Sequence, residues 1–73
     1  MTYRILKPCV LKTWHHRQLV EWRDVPAGQT VEVPTGVNGY RYDLEPATVS
    51  LQDCGYDLDR YARVCDEHYR RVD

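Results

Sequence analysis

Hydrophobic and polar residues alternate with a period of two over much of the first 52 residues. In residues 30–33 valine alternates with polar residues, and in residues 40–45 tyrosine and leucine alternate with charged residues. Residues 48–52 continue this alternation through Val49 and Leu51. Because successive side chains of a strand point to opposite faces, the pattern predicts three β-strands. Residues 3–7, 9–14 and 17–22 are less regular but also favour extended structure, with a tip at His15-His16.

Two turn signals punctuate these strands. Pro26 and Gly28 suit a turn because proline presets a negative φ and glycine accepts a positive one. Asn38-Gly39 is the dipeptide most typical of a two-residue hairpin loop. It predicts a hairpin that joins strand 30–33 to strand 40–45. A short break at residues 45–47 then precedes the final predicted strand.

The pattern changes to a helical period after Gly55. One stripe has the spacing of a helix face: Leu58, Ala62, Cys65, Tyr69 and Val72. Asp57 is placed to accept hydrogen bonds from the first backbone N–H groups of a helix. We therefore expect an amphipathic helix over residues 57–71 whose stripe covers an open face or end of the sheet.

Together these elements predict an α+β, mainly β domain over residues 1–73. Five to six short antiparallel strands with tight turns, over residues 3–52, suggest a small barrel followed by the C-terminal helix. In topology this resembles an SH3-like barrel, in which a short 3₁₀ turn precedes the last strand. The acidic and aromatic loop signature of peptide-binding SH3 domains is not recognisable here, so the resemblance implies no polyproline binding.

Charge is segregated along the chain although the net charge is only −1. Residues 1–23 carry a net charge of +4, and residues 24–59 carry −6. A fold could separate these segments into a basic face and an acidic face that attract charged partners. Alternatively, adjacent strands pair their opposite charges.

Cysteine usage and hydropathy predict a cytoplasmic protein. No apolar run approaches the ~18 residues of a membrane span, so we expect no membrane partner, and the N-terminus lacks the apolar core of a signal peptide. The three cysteines are an odd set without tight spacing, so reduced thiols are preferred over a Cys54–Cys65 disulfide. Arginine-rich, phenylalanine-free composition favours a GC-rich bacterial or phage genome.

Residues with metal-binding or catalytic chemistry do not form a recognisable motif. Cys65 and His68 are three apart on the predicted helix, and Cys54 with the His15-His16 tip could complete a zinc site. No Cys-x-x-Cys pair exists, and a thiol in an apolar stripe is ordinary in a core. No glycine-rich phosphate loop or nucleophile motif is present either. We expect no metal, no cofactor and no enzymatic activity.

Aromatic content favours a protein-interaction module. Six tyrosines and two tryptophans exceed what so small a core needs, and Tyr, Trp and Arg dominate interface hot spots. The predicted partner-binding residues are Trp14, His15, His16, Arg17, Tyr3, Tyr56 and Tyr61. Val20 and Trp22 are expected in the core, whereas Tyr40 is a candidate either for the interface or, with Tyr42, for the core. The concrete hypothesis is a phage-encoded or accessory bacterial protein that binds and modulates a host protein, for example as an inhibitor.

Nucleic-acid binding is the alternative function. Small barrels bind single strands through aromatic side chains and a basic groove, which the basic, aromatic N-terminal hairpin could supply. The acidic net charge argues against it, because dedicated nucleic-acid binders are usually basic overall. Homo-oligomerisation also stays open, since domains of this size often need a partner for stability.

Overall fold

Six β-strands and one α-helix make up the computed structural model, which describes residues 1–73. The strands are β1 (Thr2–Ile5), β2 (Cys9–His15), β3 (Gln18–Val25), β4 (Thr30–Glu32), β5 (Tyr40–Pro46) and β6 (Tyr69–Arg71). The helix α1 spans Leu58–His68 and follows a 3₁₀ turn at Gln52–Cys54. The predicted mainly β architecture with one helix near the C-terminus is confirmed.

The strands form two antiparallel three-stranded sheets rather than one closed barrel. The order is β4–β1–β6 in the first, here called the β1 sheet, and β3–β2–β5 in the second, the β2 sheet. The two sheets are not closed into a barrel, so the SH3-like barrel stays a prediction. Mainly β structure therefore follows from the sequence pattern, while the number of sheets does not.

A small aliphatic core lies between the sheets. Its buried members are Ile5, Cys9, Leu11, Val25, Val31 and Val33. Half-buried Tyr3, Tyr42, Leu44 and Tyr69 pack around it. Each of the five buried aliphatic side chains contributes about 1.5–3 kcal/mol of transfer free energy, and together with Cys9 they hold the two sheets together.

Asn38-Gly39 forms the predicted turn but not the predicted hairpin. Both residues have positive φ, 54° and 84°, and the Tyr40 N–H donates to the Val37 carbonyl at 3.0 Å. The flanking strands pair elsewhere, β4 with β1 and β5 with β2. The prediction was wrong because Val31 faces Tyr3 in the β1 sheet, whereas Tyr40–Pro46 completes the β2 sheet. The turn therefore links two sheets.

Residues 48–52 do not form the predicted final strand. The Ser50 N–H donates to Asp53 Oδ2 at 2.8 Å, and the Asp53 N–H donates to Ser50 Oγ at 3.2 Å. Such local side-chain bonds offer the backbone an alternative to a strand ladder. They close a turn that leads into the 3₁₀ segment Gln52–Cys54, with Val49 and Leu51 half-buried.

The helix begins as predicted and ends earlier. Asp57 Oδ1 accepts from the N–H groups of Asp59 and Arg60, at 3.0 and 3.2 Å. After His68 the chain becomes extended and Tyr69–Arg71 pairs with β1, so the helix does not reach residue 71. Three more hydrogen-bonded residues complete the β1 sheet, which a longer helix would leave two-stranded. No helix of the protein is long and apolar enough to cross a membrane.

The face that α1 turns to the rest of the molecule differs from the predicted stripe. Its buried and half-buried residues are Tyr61, Val64, Cys65 and His68. Leu58 is 70% exposed and Ala62 is also exposed. The predicted stripe depends on Tyr69 and Val72 being helical. Both lie beyond the end of the helix, so they do not determine which face of α1 is buried.

Candidate functional site

The β2–β3 hairpin ends in a strained two-residue turn. His16 and Arg17 both have positive φ, 49° and 69°, between the paired residues His15 and Gln18. Two-residue hairpin loops favour such backbones because their twist matches that of the strands. Neither residue is glycine or asparagine, so the turn carries steric strain of about 1–2 kcal/mol per residue. It places the Arg17 side chain in solvent at the tip.

The Asn38-Gly39 turn supports this tip. The His16 N–H donates to the Gly39 carbonyl at 3.1 Å. A methyl group added to the Gly39 Cα would lie 2.5 Å from His16 Cε1, so the imidazole rests directly on the glycine. The two turns therefore hold each other in place.

Aromatic rings continue from this contact along the β2 sheet. The His15 ring lies 4.2 Å from the His16 ring and stacks on Tyr40 at 4.2 Å between centroids. Tyr40 in turn stacks on Tyr42 at 6.4 Å, and Tyr42 packs against the core. This row fixes the hairpin end to the body of the molecule, which makes it a rigid surface.

The opposite side of the β2 sheet carries a second aromatic group. Strand register places Trp14 opposite Leu19 on β3 and opposite Arg41 on β5, and it places Lys12 opposite Trp22. Directly opposed residues share a face, and so do residues two apart, so these five side chains share the face that points away from the core. We call Lys12, Trp14, Leu19, Trp22 and Arg41 the outer face.

Trp22 and Leu19 are the open part of the outer face. Trp22 is 59% exposed and Leu19 is 44% exposed. Trp14 is half-buried, because the Arg41 guanidinium lies 5.2 Å from its ring centroid, a cation–π distance. Arg41 is also held by Asp43, with its Nη2 3.2 Å from the carboxylate. Arg41 therefore holds the Trp14 ring beside the exposed side chains of Leu19 and Trp22.

A pocket of about 410 Å³ lies beside the outer face. Val10, Lys12 and Glu45 of the sheet, the segment 46–51 with Asp53, and Tyr61 of α1 line it. Lys12 Nζ lies 2.8 Å from Glu45 Oε2, which accepts no other bond. Burial, followed by the nearby Cys65 thiol, raises the pKa of Tyr61 to about 12. The Tyr61 phenol that lines this pocket is therefore neutral at physiological pH.

Two ion pairs join residues that are distant in sequence, one in each sheet. Lys12 of the basic segment contacts Glu45 of the acidic segment, and the N-terminal amine contacts Glu32 Oε1 at 3.0 Å. Hydrogen bonds from Thr2 and from that amine lower the pKa of Glu32. Lys12–Glu45 is the one side-chain ion pair that joins the basic segment to the acidic segment, so cross-strand pairing neutralises only part of the segregated charge.

The cysteines do not form a metal site or a disulfide. All three are free thiols, with Cys9 and Cys54 buried and Cys65 half-buried. Buried His68 holds a hydrogen bond between its Nδ1 and the Val64 carbonyl at 2.7 Å, so this nitrogen carries the proton. No three His, Cys, Asp or Glu side chains are arranged to hold a metal ion. Burial, followed by Cys65, raises the pKa of the Cys9 thiol to about 11, which disfavours the thiolate.

Four of the seven predicted partner-binding residues lie at the hairpin end but not on one face. Of the consecutive residues Trp14, His15, His16 and Arg17, Trp14 lies on the outer face, whereas His15 stacks on Tyr40 on the opposite side of the sheet. Tyr3 is elsewhere, half-buried against Tyr69 in an edge-to-face pair at 5.4 Å. The remaining two are also separate from the hairpin, since Tyr61 lines the pocket and Tyr56, 69% exposed, precedes α1.

Sequence reasoning missed the most exposed part of the outer face. Trp22 and Val20 were expected in the core, and this was wrong, because β3 is an edge strand whose residues from Gln18 to Asp24 are all exposed. Tyr40, for which both an interface and a core position were open, is exposed, while Tyr42 packs against the core. Charged residues on both sides of Trp22 were the one sequence signal for an exposed strand.

Comparison with known proteins gives no match: no family model, no curated sequence and no solved structure matches this chain.

Proposed function

We propose that the protein is a non-enzymatic interaction module that binds another protein through its outer face. The observation that carries the proposal is the exposure of Trp22 and Leu19 on a rigid sheet, beside Trp14 and Arg41. Tryptophan and arginine are the residues most enriched in interface hot spots. Binding would remove from water apolar area that the fold itself leaves exposed.

The neighbouring pocket supports the same proposal. Its volume of about 410 Å³ is within the range of ligand-sized clefts, and it opens next to the outer face. An anchoring side chain of a protein partner would fit there against Val10 and Tyr61. Such a pocket beside an aromatic patch is the arrangement in which hot-spot residues usually pair.

Charge on this side of the sheet favours a protein partner over a nucleic acid. Lys12 and Arg41 are each engaged by a carboxylate, of Glu45 and Asp43. A phosphate backbone needs cations that are free to replace its counterions. Arg17 at the tip and Arg23 on β3 are in no ion pair, but Glu21 and Asp24 lie close to Arg23 along the strand, so these cations do not make a basic groove.

A narrower form of the proposal concerns the identity of the partner. The chain has eight arginines but only two lysines and no phenylalanine, which is the bias of a GC-rich genome. A phage-encoded or accessory bacterial protein that modulates a host protein is consistent with this bias and with an interaction surface on so small a fold.

Affinity capture with matched variants tests the proposal. The wild-type protein should capture a specific protein from bacterial lysate, and Trp22→Ala should weaken its binding about 30-fold, the loss typical of a hot-spot residue. Tyr56→Ala is the control, because Tyr56 is equally exposed but lies outside the outer face. Equal loss in both variants, or capture that nuclease abolishes, would contradict the proposal.

A further inference from the structure

The free edge of β3 is the longest uncovered strand edge of the molecule. Its only hydrogen-bonded neighbour is β2, and no helix packs on it. At the opposite edge of the β2 sheet, α1 packs against β5. The β1 sheet ends in strands of only three residues, β4 and β6. An edge strand presents unpaired N–H and C=O groups that can pair with another strand.

Charges along this edge are free to pair with another molecule. The order from position 21 is Glu21, Trp22, Arg23 and Asp24, and all four residues are exposed. Neither Glu21 nor Arg23 takes part in an ion pair within the chain. Their partners are therefore either solvent or a second strand.

Among the registers centred on residues 21–24, the regular part of the edge, the charge order selects one. When two identical strands pair antiparallel about a two-fold axis, one residue faces its own symmetry mate and its neighbours face each other. An axis at Glu21, Arg23 or Asp24 would put like charges directly opposite, which is destabilising. An axis at Trp22 instead places Glu21 of each copy opposite Arg23 of the other copy, which gives two attractive pairs.

We propose that a second copy of this chain pairs edge to edge with β3, antiparallel, with Trp22 facing its own mate. The two β2 sheets then form one six-stranded sheet. The pairing uses the backbone edge and the Glu21 and Arg23 side chains, so it does not depend on the proposed function. It sets the two Trp22 side chains next to each other on the outer face and doubles that surface.

A bulge limits how far the pairing extends. The register between β2 and β3 shifts after Thr13, which pairs with Glu21, while Trp14 pairs with Leu19 and leaves Val20 unpaired. A bulge twists an edge strand and interrupts regular pairing. The regular part of the edge is therefore short, and the dimer is a weak, concentration-dependent one.

Charge reversal at the edge tests this register. Sedimentation equilibrium, up to about 1 mM protein, should detect a dimer of the wild-type chain, since that concentration populates even a dimer with a Kd of about 1 mM. Glu21→Arg and Arg23→Glu should each weaken the dimer about tenfold, because two attractive cross-strand pairs become repulsive. The double variant E21R/R23E should restore wild-type association, which a general effect on folding would not.

Two results would overturn the proposal. One is a wild-type chain that stays monomeric throughout this range, and the other is a double variant no better than the single ones. Amide NMR spectra recorded on dilution give a second readout, with shifts expected at residues 21–24; shifts confined to other strands would also contradict the register. Glu21 and Arg23 lie outside the outer face, so a wild-type chain that stays monomeric but still captures a different protein would reject only this inference.

Discussion

Gly39 illustrates how one residue supports the candidate site. It has a φ of 84°, and the His16 imidazole rests on its Cα. We expect Gly39→Ala to lower the free energy of unfolding by about 1–2 kcal/mol for the left-handed backbone and by about 1–3 kcal/mol more for the clash. Urea denaturation, followed by tryptophan fluorescence, measures the loss.

Gly28→Ala is the matched control for this prediction. Gly28 has a similar φ of 91°, but an added methyl group would meet nothing within 4 Å. Gly28→Ala should therefore lower the free energy of unfolding only by the cost of the left-handed backbone. Equal losses in the two variants would show that the imidazole does not pack on Gly39.

Cys9 gives a prediction about alkaline pH. Its thiol pKa is about 11 in the folded protein, against 9.0 for an unperturbed thiol, so the folded state holds this proton more tightly. The corresponding stability is complete below pH 9 and is lost as pH rises from about 9 to 11. Burial also raises the pKa values of Tyr61 and Tyr69, which continues the loss at higher pH.

Replacement of the thiol tests the contribution of Cys9. In Cys9→Ala the fall in unfolding free energy between pH 9 and 11 should be smaller than in the wild type, although the variant starts from a lower value because of its cavity. Denaturation at a series of pH values, with reductant present, gives both curves. Parallel curves would contradict burial as the cause of the raised pKa.

At the scale of elements, β1 and β6 contain an unfavourable pair. Arg4 and Arg70 are directly opposite each other, and both are exposed. Arg70→Glu should raise the unfolding free energy by about 0.5 kcal/mol, because an attractive cross-strand pair replaces a repulsive one. Arg17→Glu makes the same charge change at the hairpin tip, away from this pair, and serves as the control. An equal rise in unfolding free energy in both variants would show that the change in net charge, and not the Arg4–Arg70 pair, causes it.

Local signals predicted elements well and pairing poorly. Alternation located β4 and β5, and Asp57 located the start of α1, because each depends on neighbouring residues. The Asn38-Gly39 turn was found, but its hairpin was not, since pairing depends on which sheet needs each strand. For the same reason Tyr69–Arg71 continued a helical pattern in the sequence and yet forms β6.

Burial at the candidate site was harder to predict for a related reason. Trp22 looks like a core residue until β3 is known to be an edge strand, and edge position is a property of the whole sheet. His16 and Arg17 adopt positive φ without glycine or asparagine, so their turn has no typical sequence signature. The hairpin tip was recognised from its aromatic and basic residues instead.

At the scale of the whole molecule, the two sides of the β2 sheet have different roles. The inner side joins the core through Leu11, Leu44 and Tyr42. On the outer face, Trp22 and Leu19 are exposed to solvent. The Arg41 contact with Trp14 holds this face together, and the packing of His16 on Gly39 supports one end of the sheet. This division, a core on one side and an unburied aromatic surface on the other, is the basis for the proposed binding function.

Site-specific photo-cross-linking at position 19 tests that function most directly. Leu19 belongs to the outer face and lies three residues from the axis of the proposed self-pairing, so the mass of an adduct at this position is needed to separate a second copy of the chain from a different partner. A photoreactive residue at position 19 should give a discrete adduct with a protein other than this chain, and the same photoreactive residue in place of Tyr56 should give none. No adduct at position 19, or equal adducts at both positions, would contradict it.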